Sequence, residues 1–233
     1  MYFDWYYLIL VVPAMIFSLI ASARVNSTYN KYSRQIAGRG LTGAQAARMV
    51  LDANGLRGIP IERVSGELTD HYDPKSNVIR LSDSVYSSPS TAAVGVACHE
   101  VGHAIQYATG YGPIKLRMAI IPLTNIGSRL SVPLIIIGII LGGVSDLFYY
   151  VAYAGIFFFA LVVLFQLVTL PVEFNASKRA LATIESGGIL TRGEELDGAR
   201  KVLRAAAMTY VAALAVSIAQ LLRFIMLVGK RRD

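Results

Sequence analysis

His99-Glu100-Val101-Gly102-His103 brings two imidazoles and a carboxylate into five positions. On a helix, side chains four apart share a face, so His99 and His103 can present ring nitrogens to one metal ion. Glu100, one position round, can take a proton from a water that zinc acidifies to a pKa of about 7. That is the equipment for metal-assisted hydrolysis. A catalytic zinc takes three protein ligands and keeps a fourth position open. The chain has three histidines, so the third ligand is either His71 or a downstream carboxylate. Glu173, in PVEFNASKRA, is the strongest carboxylate. Glu185, Glu194, Glu195 and Asp197 lie in a polar, glycine-rich stretch that reads as a solvated loop. Without a ligand role, His71 can stabilise an oxyanion or act as a turn residue bonded to Asp70 or Asp73. Tyr72, Tyr107 and Tyr210 are further candidate oxyanion donors. Cys98 points about 100° away from His99 around the helix and reads as a small core residue.

The motif needs a helix, and TAAVGVACHEVGHAIQY supplies one over residues 91–107, opened by Ser88 to Ser90. Before it, alternating apolar and polar residues flank a Pro-Lys-Ser-Asn turn, which predicts a β-hairpin. The arm NVIRLSD is a candidate edge for pairing with an extended substrate. Further back, residues 41–53 read as an amphipathic helix with Thr42 as N-cap and Gly55 just past its end.

Around this insert the chain is strongly apolar. Hydrophobic residues make up 55% and charged residues 16%, against about 25% charged in soluble domains. An ordinary soluble enzyme and a disordered chain are excluded, and a single cysteine excludes a disulfide scaffold. Four stretches, residues 2–22, 118–143, 147–170 and 205–228, have the roughly 20 apolar residues that a crossing takes. Pro122, Arg129 and Pro133 divide the second, which predicts an interfacial half up to Arg129 and then a shorter crossing. Arg223, near one end of the fourth, is expected to snorkel to the interface. Of the 22 Lys and Arg, eleven lie from Arg24 to Arg117 and six from Lys178 to Arg204. By the positive-inside rule both segments are cytoplasmic, with the turn at 142–146 and the N-terminus outside. Four crossings put the C-terminus outside as well, where Lys230, Arg231 and Arg232 conflict with that rule. The net charge of +7 therefore fits anionic lipid head groups rather than nucleic acid.

LTDHYDPKSNVIRLSDSVY, SPSTAAVGVACHEVGHAIQ, PVEFNASKRAL and VLRAAAMTYVAALAVSIAQLLR together resemble the bacterial neutral zinc metallopeptidases of the YugP type, over nearly the whole chain. That resemblance implies a membrane-embedded metallopeptidase with His99 and His103 as zinc ligands and Glu100 as catalytic base. More distantly, EFNASKRA is similar to the Glu-x-x-Ala-Asp-x-x-Ala motif of HtpX-like and CAAX-prenyl-type membrane proteases, which implies Glu173 as third ligand. Ser177 stands where that motif has Asp.

The expected fold is a mainly α membrane protein with about four transmembrane helices and a small α+β, zincin-like cytoplasmic insert. Its divisions are a transmembrane segment at 1–22, the insert at 23–117, a transmembrane hairpin at 118–171, a cytoplasmic loop at 172–204 and a last helix with a basic tail at 205–233. The expected function is zinc-dependent endopeptidase, with one Zn2+ per chain held by His99, His103 and Glu173, Glu100 as base and His71 assisting. The expected location is the bacterial inner membrane, multi-pass, with the site on the cytoplasmic side. Expected partners are the lipid bilayer, a peptide or membrane-protein substrate and, with no nucleic acid, an oligomer or a regulatory membrane protein. The rivals are a non-catalytic membrane scaffold closed around a structural zinc by His71, and a transporter with Arg129 or Arg223 on an ion path.

Overall fold

The structure is a computed structural model that describes residues 4–232, with side chains to residue 229. Tyr2 and Phe3, at the start of the first expected span, and the side chains of the basic tail lie outside the described residues. The chain is mainly helical (74%). Helix α1 (Val12–Tyr32) is entered through a π-helical turn at Tyr7–Val11. Then come α2 (Gly43–Ala53), β1 (Ile61–Val64), β2 (His71–Asp73), β3 (Val78–Ser82), a short α3 (Asp83–Tyr86) and α4 (Thr91–Ala108). Three long helices follow, α5 (Gly112–Leu141), α6 (Leu147–Ser186) and α7 (Glu194–Arg232).

These elements form two compact units. One comprises Met1–Ala21, Lys115–Leu170 and Thr209–Asp233. Among the described residues, four helices are long and apolar enough to cross a membrane, and no more than 33% of the most apolar stretch of any of them is buried. Leu19, Ile140 and Leu147 stand exposed on these helices, a surface that only lipid matches at low cost. Inside the unit, Ile135, Ala152, Ile156, Phe224 and Val228 form a core. Phe159 meets Phe224 edge-on at 5.4 Å. Small residues set the approach of α5 to α6: a Cβ on Gly138 would lie 2.5 Å from the Ala152 nitrogen, the close packing that membrane helices use.

Two expectations are corrected here. Pro122 and Pro133 lie inside a continuous α5, which has no interfacial break. Each proline removes one N–H, whereas a full break would strand several backbone groups where no water reaches. Arg223 does not simply snorkel: its Nε donates to Asp4 Oδ2 at 2.7 Å, beneath the Tyr7 ring at 5.1 Å.

The other unit comprises Ser22–Ile114 and Pro171–Met208. Helix α2 starts as its sequence predicts, with a capping box in which Thr42 and Gln45 bond each other's backbone N–H. The hairpin is also present, β2 antiparallel to β3. Asp73 holds its turn, accepting from Lys75 N–H at 2.9 Å, Ser76 Oγ at 2.6 Å and Arg80 Nη1 at 3.0 Å. Beyond the hairpin, β1 adds to the far side of β3 in parallel, giving the order β1-β3-β2. Strand β3 is therefore central, and the expectation that NVIRLSD offers a free edge is corrected: the edge strands are β1 and β2. The stretch around Glu194, Glu195 and Asp197 is not a loop but the acidic first turn of α7, where carboxylates suit the helix dipole. Glu195 accepts N–H bonds from Gly38 and Thr191, each at 2.8 Å. The core of this unit gathers Leu51, Ile79, Leu81, Val85, Val101 and Ile184, all fully buried.

Candidate metal centre

Helix α4 is capped by Ser90, whose Oγ accepts the Ala93 N–H at 3.2 Å. Its interior is almost all Ala, Val and Gly, so other elements come close to its polar residues. Gly102, inside the His-Glu-x-x-His motif, sets the approach of α6: a Cβ there would lie 2.4 Å from the Ala176 carbonyl oxygen. Glu173, one turn before Ala176, is thereby brought onto the two histidines. Its Oε2 lies 3.4 Å from His99 Nε2 and 3.5 Å from His103 Nε2, and the carboxylate is only 2% exposed.

This donor set fits zinc. Two ligands each about 2.0–2.1 Å from one tetrahedral ion stand roughly 3.4 Å apart, the spacing found here. All three donor atoms lie within 4.8 Å of one another. Among the described residues no further His, Cys, Asp or Glu joins the group. His71 stands apart from it, exposed on β2, with Nδ1 2.8 Å from the Thr69 carbonyl rather than bonded to Asp70 or Asp73.

The surroundings set the tautomer. Gln106 Nε2 donates to the Val172 carbonyl at 2.8 Å and to Asn175 Oδ1 at 3.1 Å. Arg179 Nε donates to the same Asn175 oxygen at 2.7 Å. Gln106 Oε1 is therefore left as an acceptor, and His103 Nδ1–H donates to it at 3.1 Å. That leaves a lone pair on Nε2, aimed at the centre. In the matching tautomer, His99 Nδ1–H donates to Ser177 Oγ at 3.1 Å. The hydroxyl of Ser177 thus takes the ring N–H at the place where the motif has Asp. The Gln106–Asn175–Arg179 chain escaped the sequence reading; Gln106, one turn after His103, was the available sign.

Glu100 is buried beside the centre and its Oε2 accepts the Tyr72 backbone N–H at 2.9 Å. Burial pulls the His103 pKa down, but the hydrogen bond that Nε2 gives Glu173 once the ring is protonated, with the charges of Glu100 and Glu173, outweighs it and raises the value. Burial also raises Asp70, against the bonds that it accepts from Ser82 N–H and Oγ. Cys98 is fully buried, its thiol pushed up to about 12, as a core residue should be. The Tyr72 hydroxyl donates to Asn77 Oδ1 at 2.7 Å, and its ring packs on Tyr107 at 5.4 Å. Tyr210 belongs to the apolar unit.

The family described as "Putative neutral zinc metallopeptidase" matches residues 7–229. A protein of Bacillus subtilis (strain 168), "Putative membrane protease YugP", is 46% identical over 227 residues, covering 97% of this chain and 98% of that protein. No solved structure matches significantly. Matched over nearly its whole length by the family and by a relative of almost equal extent, the chain belongs to the neutral zinc metallopeptidase family.

Proposed function

We propose that the protein is a zinc-dependent endopeptidase of the bacterial cytoplasmic membrane, acting on membrane-associated proteins or peptides. The observation that carries this reading is the convergence of His99, His103 and Glu173 beside a buried Glu100. One zinc per chain is held by the two Nε2 atoms and the Glu173 carboxylate. Zinc so held supplies Lewis acidity, which acidifies water and polarises a carbonyl. Glu100 is the proton carrier: its carboxylate takes the proton that the attacking water gives up and delivers it to the leaving amine nitrogen. The Tyr72 N–H, bonded to Glu100 Oε2, holds that carboxylate in position. His71, next to Tyr72 on β2, is the candidate for steadying the oxyanion on the scissile carbonyl. The same N–H shows that the outer edge of β2 faces Glu100, which favours substrates bound in extended form. The clustering of Lys and Arg at 24–117 and 178–204 supports a site on the cytoplasmic side.

The test is zinc content and peptidase activity of the detergent-purified protein. Wild type should carry about one zinc per chain and cut peptides. Glu173→Ala should lose the metal, and Glu100→Gln should keep it while losing activity. Activity surviving Glu100→Gln in a zinc-loaded preparation would overturn the proposal.

A further inference from the structure

Tyr32, the last residue of α1, is buried against α7. A Cβ on Gly198 would lie 2.7 Å from its ring, and Val202, one turn further along α7, joins Tyr32 in a small core. Two ammonium groups approach that one ring: Lys31 Nζ stands 5.5 Å and Lys201 Nζ 6.0 Å from its centroid. The ring attracts each of them. Two like charges drawn to one place also repel each other, and an anion seated between them relieves that repulsion.

Two arginines extend the pair. Arg24 and Lys31 are two helical turns apart and share one face of α1. Lys201 and Arg204, three apart, are neighbours on α7. Because both lysines meet the same ring, the two faces turn to the same side of the helix pair. All four cations are exposed. The nearest acid along α7, Asp197, is already bonded to Arg200. The patch is therefore positive, with no carboxylate of its own helices left to neutralise it.

Its place along the chain names the anion. Arg204 directly precedes the apolar stretch 205–228, and Arg24 follows the stretch 2–22 by about 3 Å of helix. Lys201 lies about 6 Å and Lys31 about 14 Å beyond the same stretches. A head-group layer about 5–8 Å deep borders the hydrocarbon on each side. Side chains lean toward the N-terminus of their helix, which carries Lys31 back toward that layer.

We propose that this face holds the head group of one anionic phospholipid, with Lys31 and Lys201 as the selecting pair and Arg24 and Arg204 flanking it. Such binding is independent of peptide hydrolysis.

The test is native mass spectrometry of the detergent-purified full chain, supplied with equal amounts of phosphatidylglycerol and phosphatidylcholine of the same acyl chains. Wild type should hold one phosphatidylglycerol about tenfold in preference to phosphatidylcholine, since each lysine near a head group favours the anion. Lys31→Gln with Lys201→Gln should bring that ratio close to one. Lys31→Arg with Lys201→Arg should keep it. Arg57→Gln with Lys75→Gln, which removes the same charge from exposed positions elsewhere, should keep it as well. The ratio is read on compact ions of one preparation, so a loss of folded protein cancels. No preference in wild type, or a preference that survives the paired Gln change, overturns the site. Loss of the ratio in the Arg pair overturns selection by charge. An equal fall in the Arg57 and Lys75 variant would show that net charge alone attracts the lipid. A preference abolished by excess inorganic phosphate at fixed ionic strength would assign the pair to free phosphate. Either result removes the lipid site.

Discussion

Gly102 and Ala176 touch backbone to backbone: any Cβ at Gly102 would sit 2.4 Å from the Ala176 carbonyl oxygen. The closeness of α4 and α6 at this point is what lets Glu173 reach His99 and His103. Gly102→Ala should force the helices apart, an overpacking cost of about 1–3 kcal/mol. That exceeds the roughly 0.5–1 kcal/mol gained from helix propensity. Zinc content and melting temperature should both fall. Gly95→Ala is the comparison, since its Cβ would meet Ala199 Cβ at 3.3 Å, a looser contact than that at Gly102, and should keep its zinc. Equal zinc in Gly102→Ala and wild type would detach the ligand geometry from this contact.

Gln106 orients His103 without touching the centre itself. Gln106→Leu removes the acceptor for His103 Nδ1–H and the side-chain donor to the Val172 carbonyl. Zinc affinity, measured by competition with a chromophoric chelator, should drop about 10- to 100-fold. An unchanged affinity would mean that the ring is held by packing alone.

Asp73 gives the hairpin a defined acid response. The Ser76 hydroxyl, the Arg80 guanidinium and the Lys75 N–H hold its carboxyl well below the ordinary carboxylate value of 3.8. A lowered folded pKa means that the charged form stabilises the fold. The contribution is complete above the ordinary value and is lost as pH falls through the folded one. Melting curves from pH 7 downward should therefore fall more steeply below about pH 4 in wild type than in Asp73→Asn. Parallel curves would show that the turn carries no such linkage.

Asp4 and Arg223 pair between the first and last helices with side chains only 26% and 22% exposed. Asp4→Ala leaves a guanidinium without its carboxylate in largely apolar surroundings and should lower stability in detergent by about 1–3 kcal/mol. The double change Asp4→Leu with Arg223→Leu should recover most of that loss. Additive losses in the double variant would rule out coupling between the two.

Local signals carried much of this fold. The Thr42–Gln45 capping box, the turn held by Asp73 and the run of small residues around His99 each state their structure within a few residues, and all three are present. Glu173 was legible because the chemistry required a third ligand. Long-range pairing was not legible: nothing local announces that β1 adds to β3 in parallel, and with it went the true edge of the sheet. The prolines of α5 misled for a physical reason, since a proline that ends helices in water is tolerated where a broken helix has no solvent to bond. Glu194, Glu195 and Asp197 were misread as loop although acidic residues in sequence are a helix-start signal. Of the orienting chain from Gln106 to Arg179, only the one-turn spacing of Gln106 from His103 is local; its contacts with α6 are tertiary.

The Asp4–Arg223 pair also orders events in time. Its two members are 219 residues apart, so a ribosome makes the acid almost first and the base almost last. Until Arg223 is made, Asp4 is without this partner. The ion pair closes only once the final helix has been delivered alongside the first. A chain cut short before residue 223 therefore lacks the guanidinium that this carboxylate bonds.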